Sequence, residues 1–152
     1  MKNPIILASL AMLVIIAVFF EPVIFGGKTF SSPDSLSPKA VGMALNDLSV
    51  ETGEFPQWQP WVFSGMPSAE AFTNLSKLYF PEYLFKLFFL PGMLIQLLHL
   101  LFAGIGGFLL LRHFKCSDWA AGLGATAFMI TPYMVTMVVF GHGSQMMTAA
   151  YI

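Results

Sequence analysis

Two residues of this chain are placed where they could do chemistry, an aspartate and a histidine. Asp34 stands soon after an apolar segment, beside Pro33 and ahead of an amphipathic stretch. A carboxylate so placed can act as general base toward an acceptor hydroxyl. Taken alone, an Asp after Pro in the run Ser31-Ser32-Pro33-Asp34-Ser35 is more often a turn residue or cap than a catalytic base. His142 lies in Gly141-His142-Gly143-Ser144-Gln145. Flanking glycines let a ligand approach the backbone, and imidazole can bind phosphate or relay a proton; a polar turn between helices reads the same way. Trp58 and Trp61, in Gln57-Trp58-Gln59-Pro60-Trp61, are natural interfacial anchors, and they could instead wall a sugar or lipid headgroup. Gln96 and His99 are polar residues inside an apolar run, where interhelix hydrogen bonding is the preferred reading and ligand binding the other. The three histidines are too scattered for metal-ligand spacing, and the single Cys116 excludes an intrachain disulfide. No metal site or cofactor is evident.

The elements that must hold these residues are membrane elements. Of 152 residues 57 % are hydrophobic and 10 % charged, with mean hydropathy +0.74, far from the composition of a soluble domain. A net charge of −1 carries no basic footprint for nucleic acid. Apolar segments cover residues 4–20, 91–111 and 119–140. At 1.5 Å per residue they reach roughly 25 to 33 Å, close to the hydrocarbon thickness. Phe19-Phe20-Glu21-Pro22-Val23 lacks the small residues a signal peptidase needs, so the first segment reads as an uncleaved anchor. Lys2, Arg112 and Lys115 flank the apolar segments and should face the cytoplasm. The expected fold is an all-α integral membrane protein with a cytoplasmic N-terminus. Residues 1–22, 91–111 and 119–140 span, 112–118 form a cytoplasmic turn, and 23–90 form an outer loop. Residues 141–152 make an outer turn and begin a further helix, so the chain reads as the N-terminal fragment of a longer polytopic protein.

The loop divides further. Ser37-Pro38 is a helix start, with Ser as N-cap and Pro at the first position. Val41, Ala44, Leu45 and Leu48 then form one apolar stripe, Asp47 and Glu51 lie toward the polar side, and Gly53 ends the helix. The stripe faces lipid or packs on its own loop. Pro56, Pro60 and Pro67 exclude a continuous helix across the Trp-rich segment. Residues 84–90 read as a second interfacial helix with Lys86 snorkelling, broken by Pro91-Gly92. Ala103 and Gly107, and Ala121 and Ala125, form small faces for close helix contact, and Thr131-Pro132 kinks the third span. Asn74-Leu75-Ser76 fits a glycosylation sequon that is common by chance.

Glu21-Pro22-Val23, Gly27-Lys28, Asp34, Pro56-Gln57-Trp58 and Phe63-Ser64-Gly65-Met66-Pro67, in this order, resemble the start of bacterial YfhO-type membrane proteins. Gly141-His142 after the third span is similar to that family as well. The resemblance implies a polytopic GT-C-type glycosyltransferase of the bacterial inner (cytoplasmic) membrane. Such an enzyme moves a sugar from a polyprenyl-phosphate donor to a cell-envelope glycan acceptor on the outer face. It further implies Asp34 as the catalytic base, His142 as a contact to donor phosphate, and amphipathic loop helices lying on the membrane. Two departures stand against it. Gln145 occupies a position where related sequences often carry Lys, and the class needs many more helices, so the fragment alone is expected to be inactive. The rival reading is a non-enzymatic polytopic protein, a transporter fragment or an envelope-assembly subunit.

Overall fold

The computed structural model describes residues 3–68 and 80–151. Asn3 starts α1 (Pro4–Phe19): its Oδ1 accepts the Ile5 N–H at 3.1 Å and Pro4 takes the first helical position. The helix is interrupted at Phe20, just before Pro22, which has no N–H to give and whose ring would meet the preceding turn. A short α2 (Glu21–Ile24) follows.

The chain divides into two compact units, one of Met1–Ser31 with Leu90–Ile152, the other of Ser32–Phe89. In the first, α5 (Gly92–His113) turns into α6 (Asp118–Met129), and the two pack through small residues. Ala103, Ala121 and Ala125 are buried. A Cβ on Gly107 would lie 3.6 Å from Ala125, so the faces expected from the sequence do meet. One turn earlier Gly104 is tighter still: an added Cβ would come 2.9 Å from Met12 Sδ of α1 and 3.0 Å from Met129 Sδ. Two flexible thioethers thus fill the notch where α1 crosses α5.

The expected third span, at 118–139, is broken at Ile130 into two helices. Ile130 caps α6, Thr131 Oγ1 accepts the Met134 N–H at 3.4 Å, and Pro132 opens α7 (Pro132–Val139). Pro132 therefore restarts the helix with a cap of its own rather than kinking a continuous one. Gly141, at φ +89°, then turns the chain into α8 (Gly143–Ala149), which packs on α5. Residues 92–113 and 118–139 are each 22 residues long and apolar enough to cross a membrane. α1 is shorter, at 16 residues.

In the second unit α3 (Pro33–Thr52) begins four residues before the expected start at Ser37. Ser32 is buried at its head, its carbonyl accepts the Leu36 N–H at 3.2 Å, and Pro33 rather than Pro38 takes the first position. Pro38 sits inside the helix and has no N–H for the Asp34 carbonyl. The stripe lies as expected: Leu45 is fully buried, Val41, Ala44 and Leu48 are half-buried, and Asp47 and Glu51 are exposed. Gly53, at φ +74°, ends the helix. The all-α expectation is corrected at one place, a hairpin of β1 (Trp58–Gln59) and β2 (Met66–Pro67), antiparallel with Trp58 opposite Pro67. α4 (Phe80–Leu87) closes the unit and leaves Leu87, Phe88 and Phe89 exposed. The sequon at Asn74 and the side chain of Lys86 lie outside the described residues, as does Lys2.

Candidate functional site

Asp34 is not in a loose turn. It is the second residue of α3, exposed, in the first turn, where a carboxylate complements the positive end of the helix. Of the sequence readings, the turn residue or cap becomes a first-turn acid of α3.

Trp58 and Trp61 belong to the hairpin, and they differ. Trp58 lies across Gly65: a Cβ there would come 2.6 Å from Trp58 Nε1 and 2.8 Å from its ring. The loop reaches this closeness through three successive left-handed residues, Phe63 (φ 51°), Ser64 (62°) and Gly65 (110°), with the Gly65 N–H bonded to the Val62 carbonyl at 2.8 Å. Only glycine fits a φ of 110° beneath an indole. One face of Trp58 is thus committed to the hairpin, and about half of its surface stays open. Trp61, in the loop, is equally exposed. On the same hairpin the amide of Gln59 is fully buried, and neither its Oε1 nor its Nε2 has a hydrogen-bond partner among the described residues. Nothing in the sequence pattern singled that glutamine out, because burial in a two-residue strand leaves no period to read.

His142 is in the other unit, at the N-cap of α8, where its backbone carbonyl accepts the Gln145 N–H at 3.0 Å and its side chain makes no cap bond. Gly143, beside it, is where α8 meets α5: a side chain there would collide with the Gln96 amide. One turn along α5, His99 is buried. Its Nδ1 lies 2.7 Å from the Ile95 carbonyl and its Nε2 3.1 Å from the Tyr151 hydroxyl. A carbonyl only accepts, so the Nδ1–H donates to Ile95, and Nε2 pairs with the Tyr151 hydroxyl. The Tyr151 ring stands edge-on to His99 at 5.7 Å and packs on Phe102 at 5.3 Å. His99 therefore ties the segment after α7 to α5, the interhelix role preferred from sequence, whereas Gln96 only packs against Gly143 and its buried Oε1 has no hydrogen-bond partner among the described residues. Tyr151 was not foreseen; a tyrosine at a helix end carries no spacing signal of its own.

Asp34, Trp58 and Trp61 thus share one unit, and His142 stands in the other. Among the described residues no three His, Cys, Asp or Glu side chains gather as a metal site. Compared with family models, with curated proteins and with solved structures, the chain finds no match.

Proposed function

We propose that this chain is the membrane-embedded N-terminal part of a YfhO-like, GT-C-type glycosyltransferase. The observation that carries the proposal is the hairpin. The residues that make the resemblance, Trp58, Phe63, Gly65 and Pro67, fold into one object, with Trp58 on Gly65 and Pro67 opposite Trp58. Two members of the motif, Trp58 and Gly65, depend on one another sterically, which is a stronger basis for likeness than the same letters scattered along a loop.

The membrane part of the proposal rests on exposure. Only 33 % of residues in the apolar window of α5 and 22 % in that of 118–139 are buried, while Leu98, Phe102, Leu123 and Phe128 are exposed. An apolar surface of that extent suits lipid. The helices then span the bacterial inner membrane with the N-terminus inside and residues 32–89 outside. Asp34 takes the proton from the acceptor hydroxyl as that oxygen attacks the sugar's anomeric carbon, and the polyprenyl phosphate leaves. The donor-phosphate role of His142 is drawn from the resemblance alone, and Trp58 and Trp61 hold the loop at the interface.

Asp34→Asn in the full-length parent tests the assignment. Transfer should fall by about 10²- to 10⁴-fold with folding unchanged. Normal transfer would remove Asp34 from the chemistry. A second reading, a non-enzymatic envelope-assembly subunit or transporter fragment, draws on a specific observation too: Asp34 already serves α3 as a first-turn acid. Under that reading the Asn variant costs a little helix stability and no activity.

A further inference from the structure

The turn from α5 to α6 contains a residue that its backbone does not favour. The Lys115 N–H bonds the Arg112 carbonyl at 2.9 Å and the Cys116 N–H bonds the Leu111 carbonyl at 3.1 Å. Those two bonds define a Schellman end, and its left-handed position normally belongs to glycine. Here it is Lys115, at φ 62°. A backbone outlier maintained against local preference invites a functional reason.

The surroundings supply one. Arg112 binds Asp118 (Nε to Oδ1, 2.9 Å) and donates from Nη1 to the Cys116 carbonyl, so the one nearby acid is already engaged. Lys115 has no acidic partner among the described residues. His113 and Lys115 are both exposed, and the His113 ring stands edge-on to Phe114 at 5.9 Å. Phe114 is 68 % exposed and Trp119 89 %. Two bulky aromatics, one with an N–H donor, thus flank a free ammonium at the junction of the two membrane-length stretches. Water alone gives no reason to expose Trp119; the boundary between acyl chains and headgroups does.

We infer that the α5–α6 turn is a docking surface for anionic phospholipid headgroups. Lys115, with the remaining N–H donors of Arg112 and His113, meets the lipid phosphate, and Phe114 and Trp119 enter the acyl boundary beneath it. The inference rests on the proposed reading that 92–113 and 118–139 span a bilayer. It adds a lipid class that this reading does not specify. With a net charge of −1 for the whole chain, the attraction is local to this turn rather than a property of the molecule.

The test uses the whole chain in vesicles containing brominated phosphatidylglycerol or brominated phosphatidylcholine at equal mole fraction. The Trp119 signal is the difference between the chain and its Trp119→Phe variant. Phosphatidylglycerol should be enriched about fivefold next to Trp119, the effect of roughly one surface lysine. Lys115→Gln should bring the two lipids close to parity, and Lys115→Arg should restore the preference. Equal quenching in the unmodified chain, or a preference that survives Lys115→Gln, overturns the headgroup inference and leaves the spanning reading standing. No quenching by either lipid overturns both.

Discussion

The hairpin of β1 and β2 and the turn between α5 and α6 both reverse the chain through left-handed backbone, and they fill that backbone differently. In the hairpin the decisive position is glycine, because Trp58 lies on it and the φ of 110° admits nothing else. In the helix turn the decisive position is Lys115, at a φ of 62° that an L residue tolerates at some cost. Lys115 is exposed, whereas Trp58 crowds Gly65. Steric demand thus removes choice at one reversal, and at the other the chain can hold a charge at modest energetic cost.

Gly65→Ala is the most damaging change expected from this contrast. It adds a Cβ 2.6 Å from Trp58 Nε1 and forces an L residue to a φ of 110°. Strain and overpacking together should cost about 2 to 4 kcal/mol. The Ser68 amide, bonded to the Gln57 carbonyl at 3.0 Å, reports the opening by faster hydrogen exchange. Unchanged protection would mean that Trp58 does not rest on Gly65, and the hairpin would lose its claim to be one object.

Ser117→Ala comes next and probes the helix turn. Ser117 Oγ accepts the Ala120 N–H at 3.3 Å as N-cap of α6. Its loss should lower stability by about 1 kcal/mol, whereas Ser117→Gly should cost only a few tenths. Thermal unfolding in detergent separates them. Equal losses would show that something other than the cap bond is at stake.

The contrast also explains what could be read from the sequence. Spacing was enough where packing repeats: the stripe of Val41, Ala44, Leu45 and Leu48 and the small faces around Ala103 and Ala121 lie as expected. It was misleading where two prolines competed for one helix start. Ser37-Pro38 and Ser32-Pro33 carry the same cap signal, and burial of Ser32 decides for the earlier one. It was silent where a contact joins distant positions, as in Trp58 on Gly65 or Tyr151 on His99. Asp34 shows the boundary well. Its position near a helix start was legible, whereas its role as base came only from likeness to a family.

The smallest effect is the most discriminating. Lys115→Gly removes a left-handed L residue, worth about 1 to 2 kcal/mol. About half of that gain is offset by the greater freedom glycine brings to the unfolded chain, about 0.4 to 1 kcal/mol. The variant should therefore be more stable than the parent by roughly 0.5 kcal/mol when unfolded in a neutral detergent. In vesicles containing phosphatidylglycerol the same substitution should forfeit the lipid preference, so stability and lipid selection move in opposite directions. A lysine kept for the fold would behave otherwise: glycine would then destabilise the turn in both media. That outcome would make the two reversals alike, each filled by the residue its own packing requires.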